Sequence, residues 1–124
     1  MAEIQRTEGV WDGISAALAF ADGQEQMTAA AGSDERMALL IQNGDAAKCG
    51  IYVEPGDGLR RSIGGLLVAI PNGETRVVML DSMRFKKLQG ENAGKFVLHL
   101  CDPADKGKAF AGTAANVKFA QIHL

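Results

Sequence analysis

The chain has 124 residues, with 13 Lys and Arg against 15 Asp and Glu and a formal net charge of -2. Hydrophobic residues at 47% and aromatic residues at 6% exclude a disordered chain, and the length excludes a two-domain enzyme, which takes roughly 200 residues or more. The balanced charge argues against a nucleic-acid partner, because proteins that hold phosphate backbones carry a basic excess.

Taken in chain order, residues 1–33 follow different rules from the rest. Met1-Ala2-Glu3-Ile4-Gln5-Arg6 lacks the basic start, apolar core and small-residue cleavage site of a secretory signal, so synthesis and folding in the cytoplasm are expected. The longest apolar stretches, 15–21 and 64–70, fall short of the roughly 20 residues of a membrane span, and no membrane partner is expected. Within 10–20, Trp11, Ile14 and Leu18 share a helical face, but Gly13 weakens a helix there and no strong cap precedes it. Residues 28–33, Thr-Ala-Ala-Ala-Gly-Ser, read as a small-residue linker. Residues 1–33 are therefore expected to form an N-terminal arm, extended or partly helical. Its Ile4, Trp11, Ile14, Leu18 and Phe20 must bury against something, either the protein's own body or a neighbouring chain, and these five are the candidate partner-binding residues.

From residue 34 onward, short alternating segments recur between turn signals. Met37, Leu39 and Ile41 alternate with Ala38 and Leu40 and stop at Asn43-Gly44, a pair that readily supplies positive φ. Ala47, Cys49, Ile51 and Val53 alternate with Lys48, Gly50, Tyr52 and Glu54, giving the cleanest period of two in the chain, before Pro55-Gly56-Asp57-Gly58. Residues 65–70 are apolar on both faces and end at Pro71-Asn72-Gly73. Residues 74–80 carry Val77, Val78, Met79 and Leu80, and the Asn72-Gly73 turn predicts a β-hairpin over 66–80. In 95–101, Phe96, Leu98 and Leu100 oppose Val97, His99 and Cys101. Residues 102–112 read as a loop. In 116–124, Val117 and Phe119 keep one phase while Ile122 and Leu124 keep the other, which predicts a β-bulge near Ala120 or a strand that passes between two packing environments. With 15 glycines in the chain, most of those beyond residue 34 falling between the alternating segments, the expected fold is all-β: a small antiparallel β-sandwich or barrel of six to seven short strands over 34–124, preceded by the arm.

Catalytic chemistry is not legible. Cys49 and Cys101 lie far apart with no Cys-x-x-Cys pair, and no spacing with His99 and His123 matches a metal site, so both read as reduced small hydrophobes and no metal is expected. Neither histidine belongs to a recognisable triad. The glycines at 56, 58, 64 and 65 lack the Lys-Ser/Thr of a phosphate loop, and Asp102 and Asp105 lack calcium-loop order. No enzyme and no cofactor are expected.

The order of segments carries a resemblance. It runs Arg36-Met37-Ala38-Leu39-Leu40-Ile41-Gln42-Asn43-Gly44, then Gly50-Ile51-Tyr52-Val53, then 66–70 with Pro71-Asn72-Gly73-Glu74-Thr75. Leu80-Asp81-Ser82-Met83-Arg84-Phe85 follows, then 95–100 and 117–124. This pattern resembles small head decoration, or cement, proteins of tailed bacteriophages. It covers residues 34–124 and, more loosely, the arm; the loop at 88–94 and the charged insertion at 102–108 depart from its most compact version. The resemblance implies a β-sandwich on the capsid exterior of a virion, assembled in the host cytoplasm. It implies the major capsid protein as partner and a homo-oligomer, with a trimer favoured. A protein of that kind needs a rigid body and an apolar surface or arm that is hidden only among its neighbours, and repetition over a shell multiplies weak contacts by avidity. Two other readings are a neck, tail or fibre-associated virion protein and a surface carbohydrate-binding module. The second sits poorly with one Trp and one Tyr.

Overall fold

The computed structural model describes residues 2–4, 6–8, 18–31, 37–58 and 60–123. Four short strands lie in the first third: β1 (Ala2–Glu3), β2 (Arg6–Glu8), β3 (Ala21–Asp22) and β4 (Gln26–Ala30). Six follow, at the places where alternation or an apolar run bounded by turn residues predicts them: β5 (Met37–Asn43), β6 (Cys49–Val53), β7 (Leu66–Ile70), β8 (Thr75–Met79), β9 (Lys95–Cys101) and β10 (Val117–His123). The only α-helical element among the described residues is the single turn α1 (Ser82–Phe85). The fold is all-β.

The strands form two sheets, one in the order β1-β4-β9-β6-β7 and the other in the order β2-β10-β5-β8, with β3 also on β10. Pairing is antiparallel except for β1 with β4 and β2 with β10. Between the sheets lies one apolar cluster, with Cys49, Ile51, Val53, Phe96 and Leu98 from the first sheet and Met37, Leu39, Ile41, Val117 and Phe119 from the second. Each of these is every second residue of its strand, because successive side chains of a strand point to opposite faces. The burial of these side chains from both sheets is what holds the two layers together.

Three expectations need correction. The first is the linker at 28–33. Residues 28–30 belong to β4, which lies between β1 and β9, and Met27 and Ala29 are in the core. The strand is disguised by its small side chains: Ala29 stands opposite Phe96, so a methyl group suffices beside a large ring. Ile4 is also in the core, and its N–H donates to the Thr28 carbonyl at 2.8 Å. The described parts of 1–33 thus contribute strands to both sheets, and deleting those residues would remove core side chains as well as any exposed arm.

The second is the hairpin over 66–80. β7 pairs with β6 and β8 pairs with β5, so the two strands lie in different sheets. The turn itself is present, with Gly73 at φ 76° and Glu74 N–H donating to the Pro71 carbonyl at 3.3 Å. It wraps around Asn43 of β5 rather than closing a ladder. Gly73 N–H donates to the Asn43 carbonyl at 2.7 Å, and Asn43 N–H donates to the Glu74 carbonyl at 2.9 Å. A left-handed glycine and the next residue facing one partner in this way make a G1 bulge. The buried Asn43 side chain donates from Nδ2 to the carbonyls of Ile70 at 3.1 Å and Ala47 at 3.0 Å. Asn-Gly specifies a reversal; which strand the chain meets afterwards is set by Asn43.

The third is the bulge near Ala120; of the two alternatives there, the structure has the strand that passes between two packing environments. The β5–β10 register runs unbroken from Val117 opposite Asn43 to His123 opposite Met37. The apolar phase changes because the inner face turns polar: Gln121 and His123 are buried, with Gln121 Nε2 against the Ala30 carbonyl and 2.6 Å from His123 Nε2. Ile122 lies half-buried on the opposite face, and Leu124 is outside the described residues.

Candidate functional site

The outer face of the first sheet carries a polar cluster. The β6–β9 register sets Tyr52 beside His99, with ring centroids 6.3 Å apart. His99 Nε2 pairs with the Glu54 carboxylate, whose other oxygen lies 3.2 Å from Lys87 Nζ. Burial works against ionisation of Glu54, but the hydrogen bonds and charges of His99 and Lys87 outweigh it and hold its carboxyl below the usual carboxylate value. Lys106 Nζ sits 4.5 Å above the Tyr52 ring and 3.3 Å from its hydroxyl, a cation–π arrangement. A shallow groove of about 240 Å³ runs alongside, lined by Glu25, His99, Cys101, Lys106 and Lys108 among others.

An imidazole oriented by a carboxylate is half of a nucleophile-activating set. The other half would have to be Cys101, the one thiol of the groove, and its surroundings oppose that role. Its Sγ donates to the Gly50 carbonyl at 3.5 Å, and burial together with the Asp102 charge pushes its pKa up. Cys49 is pushed up to about 11 by burial. Both thiols therefore stay protonated at neutral pH, and a thiol is a poor nucleophile and metal ligand compared with its thiolate. Among the described residues no group of three or more metal-ligating side chains converges.

Apolar surface is the more prominent feature. Ile63, Val77, Met79, Met83 and Leu88 are each more than half exposed. Met83 is held out by its own turn: the Asp81 carboxylate caps α1 by accepting from Met83 N–H at 2.9 Å, and it pairs with Arg60 at 2.6 Å. Phe85 of the same turn points into the core, while Arg84 donates to the carbonyls of Gly64 at 3.0 Å and Gly65 at 2.9 Å. Below this turn, Gly56 N–H donates to the Arg84 carbonyl at 2.7 Å. On β8, Val77 and Met79 occupy the outer face, opposite Leu40 and Ala38 of β5, which in turn face Ala120 and Ile122 of β10. The register thus builds two adjacent apolar rows across the outside of the second sheet, open at the β8 end.

Of the five residues expected to meet a partner, Ile4 lies in the protein's own core, and Leu18 and Phe20 are exposed just before β3. Trp11 and Ile14 lie outside the described residues. The structure does not bring Ile4 together with Leu18 and Phe20. Sequence reading missed Ile63, Val77, Met79, Met83 and Leu88. A signal for two of them was present, since Val77-Val78-Met79-Leu80 is apolar in both phases, and a strand that is apolar in both phases leaves one face in need of cover. No protein-family model matches the chain, and no curated protein or solved structure matches it either.

Proposed function

We propose that the chain is a virion structural protein of the decoration, or cement, type, which binds the lattice of major capsid protein on the outside of a phage head and strengthens it. The observation that carries this reading is the set of large apolar side chains, Ile63, Val77, Met79, Met83 and Leu88, each more than half exposed. Exposed apolar patches on small folded proteins mark interaction surfaces. A body whose strands are fixed by two sheets loses little conformational entropy when such a surface is covered, which favours repeated docking on a lattice. The sequence resemblance to head decoration proteins names the lattice, and the sandwich is the body that such a role requires.

Electron microscopy of purified particles tests it. Density for the chain repeated with the capsomers of the shell is the expected result; density confined to one vertex would make it a neck component instead. Undecorated shells incubated with the protein should bind it, and the double variant Met83→Asp with Leu88→Asp should bind more weakly while keeping its far-UV circular dichroism. Absence of the chain from particles, together with no binding to shells, would refute the reading.

A further inference from the structure

The long edge of β8 presents a contact that the rest of the fold leaves unmade. In the β5–β8 ladder Gln42 opposes Thr75, Ile41 opposes Arg76, Leu40 opposes Val77, Leu39 opposes Val78 and Ala38 opposes Met79. Asn43 N–H donates to the Glu74 carbonyl at 2.9 Å, and alternate residues of a strand aim their backbone groups to opposite sides. The Glu74 carbonyl and the backbone groups of Arg76 and Val78 are therefore directed at β5, and Thr75, Val77 and Met79 direct theirs away from it. Among the described residues no strand pairs with β8 on that side.

Sheets are usually protected at such an edge by charged side chains, especially Lys, by Pro, by a bulge or by a covering segment. Thr75–Met79 has no Lys, no Pro and no bulge within it. Its one charged residue, Arg76, is neutralised by Glu74 at 2.6 Å, and the Gly73–Glu74 bulge ends before the strand begins. Val77 and Met79 are 60% and 57% exposed, so the outer face here is largely open.

We infer that β8 is a self-association edge, at which a second copy of this chain adds its own β8 antiparallel about a two-fold axis through Val77. The outward row is symmetric about that residue. Val77 meets Val77 of the second copy, Thr75 meets its Met79, and Met79 meets its Thr75, so every open N–H and C=O of both edges is satisfied. The paired Glu74 and Arg76 leave each edge without net charge, so two copies approach without strong repulsion. The contact is isologous and closes at two copies, which makes it a different contact from any that would build a trimer. A pairing of two short strands falls below about 1,200 Å² of buried surface, the range of weak, reversible complexes. The inference does not rest on a capsid role, and its test uses the isolated protein.

Sedimentation velocity on the full chain over a series reaching about 1 mM, where even a weak complex forms, should show reversible monomer and dimer. Hydrogen exchange should show the amides of Thr75, Val77 and Met79 losing protection on dilution, with Arg76 and Val78 protected throughout. Val77→Pro removes an N–H that the β5 ladder does not use, at an edge position where proline is tolerated, and Val77→Lys places two like charges across the axis. Both variants should keep the wild-type circular dichroism and remain monomeric; should Val77→Pro misfold, Val77→Lys and the wild-type exchange pattern decide. A wild type that stays monomeric at about 1 mM, a dimer without protection at those three amides, or a Val77→Lys protein that dimerises as the wild type does would each overturn the inference.

Discussion

Replacing Asn43 by Ala is the sharpest probe of how the chain crosses from one sheet to the other. The Asn43 side chain is fully buried and makes three hydrogen bonds: Nδ2 to the carbonyls of Ala47 at 3.0 Å and Ile70 at 3.1 Å, and Oδ1 accepting from Asp45 N–H at 3.0 Å. Each hydrogen bond contributes about 1 kcal/mol net, and a buried group left without its partner costs about 1–3 kcal/mol. The Ile70 carbonyl, buried beside the turn, is such a group, while the other two partners regain water more easily. The sum is a loss of about 3–4 kcal/mol, a large fraction of the roughly 5–15 kcal/mol that holds a domain of this size together. The assay is equilibrium urea unfolding of wild type and Asn43→Ala, read as a lower midpoint with an unchanged slope. Calorimetry should show the melting temperature lowered by about 10 °C or more. Asn43→Asp should be worse still, because it removes the Nδ2 donor and places a charge in the core. A loss below about 1 kcal/mol in Asn43→Ala would refute the reasoning and mean that the β7–β8 crossing is held by its apolar contacts alone.

Two glycines test steric room against backbone strain. A Cβ at Gly56 would overlap the Lys86 carbonyl oxygen and lie 2.8 Å from the Phe85 carbonyl carbon, whereas Gly73 has open space but φ 76°. Gly73→Ala should cost about 1–2 kcal/mol, and Gly56→Ala more; the reverse order in urea unfolding would contradict the packing beneath α1. The lowered pKa of Glu54 means that its carboxylate stabilises the fold above the ordinary glutamate value of 4.5 and that this contribution is lost as pH falls through the lower folded value. The stability gap between wild type and Glu54→Gln should therefore be present at neutral pH and shrink on acidification below 4.5; a gap independent of pH would show that the His99–Glu54–Lys87 contacts carry no net charge stabilisation. Cys49 and Cys101, both buried with raised pKa values, should react with a thiol reagent in mildly alkaline buffer only at the rate of unfolding. Fast labelling of either in the native state would mean that the sheet opens locally at that residue.

Alternation in the sequence determined the interior. Every second residue of 37–41, 49–53 and 96–100 is in the core, because a pleated strand has a period of two wherever it sits in a sheet. It also placed the turn at Asn72-Gly73, where Gly73 takes φ 76°, a backbone conformation that glycine adopts without strain wherever it sits, whereas Gly44 and Gly56 lie outside the left-handed region. Strand β4 escaped because its signal lies in backbone pairing with β9, and backbone groups are the same for every residue type. What only the tertiary structure decided is which strand lies beside which. The β7–β8 turn leads across the sandwich because Asn43, some thirty residues earlier, binds it there, and the apolar phase of β10 ends because Gln121 and His123 find buried partners that no local pattern announces. The candidate surface follows the same division. Val77 and Met79 are legible as apolar, but their exposure depends on β8 lying at the edge of a sheet, and edge position is a property of the whole strand order. A chain of 124 residues and near-zero net charge establishes that a single small domain can fold; the strand order establishes which of its apolar side chains remain for something else to cover.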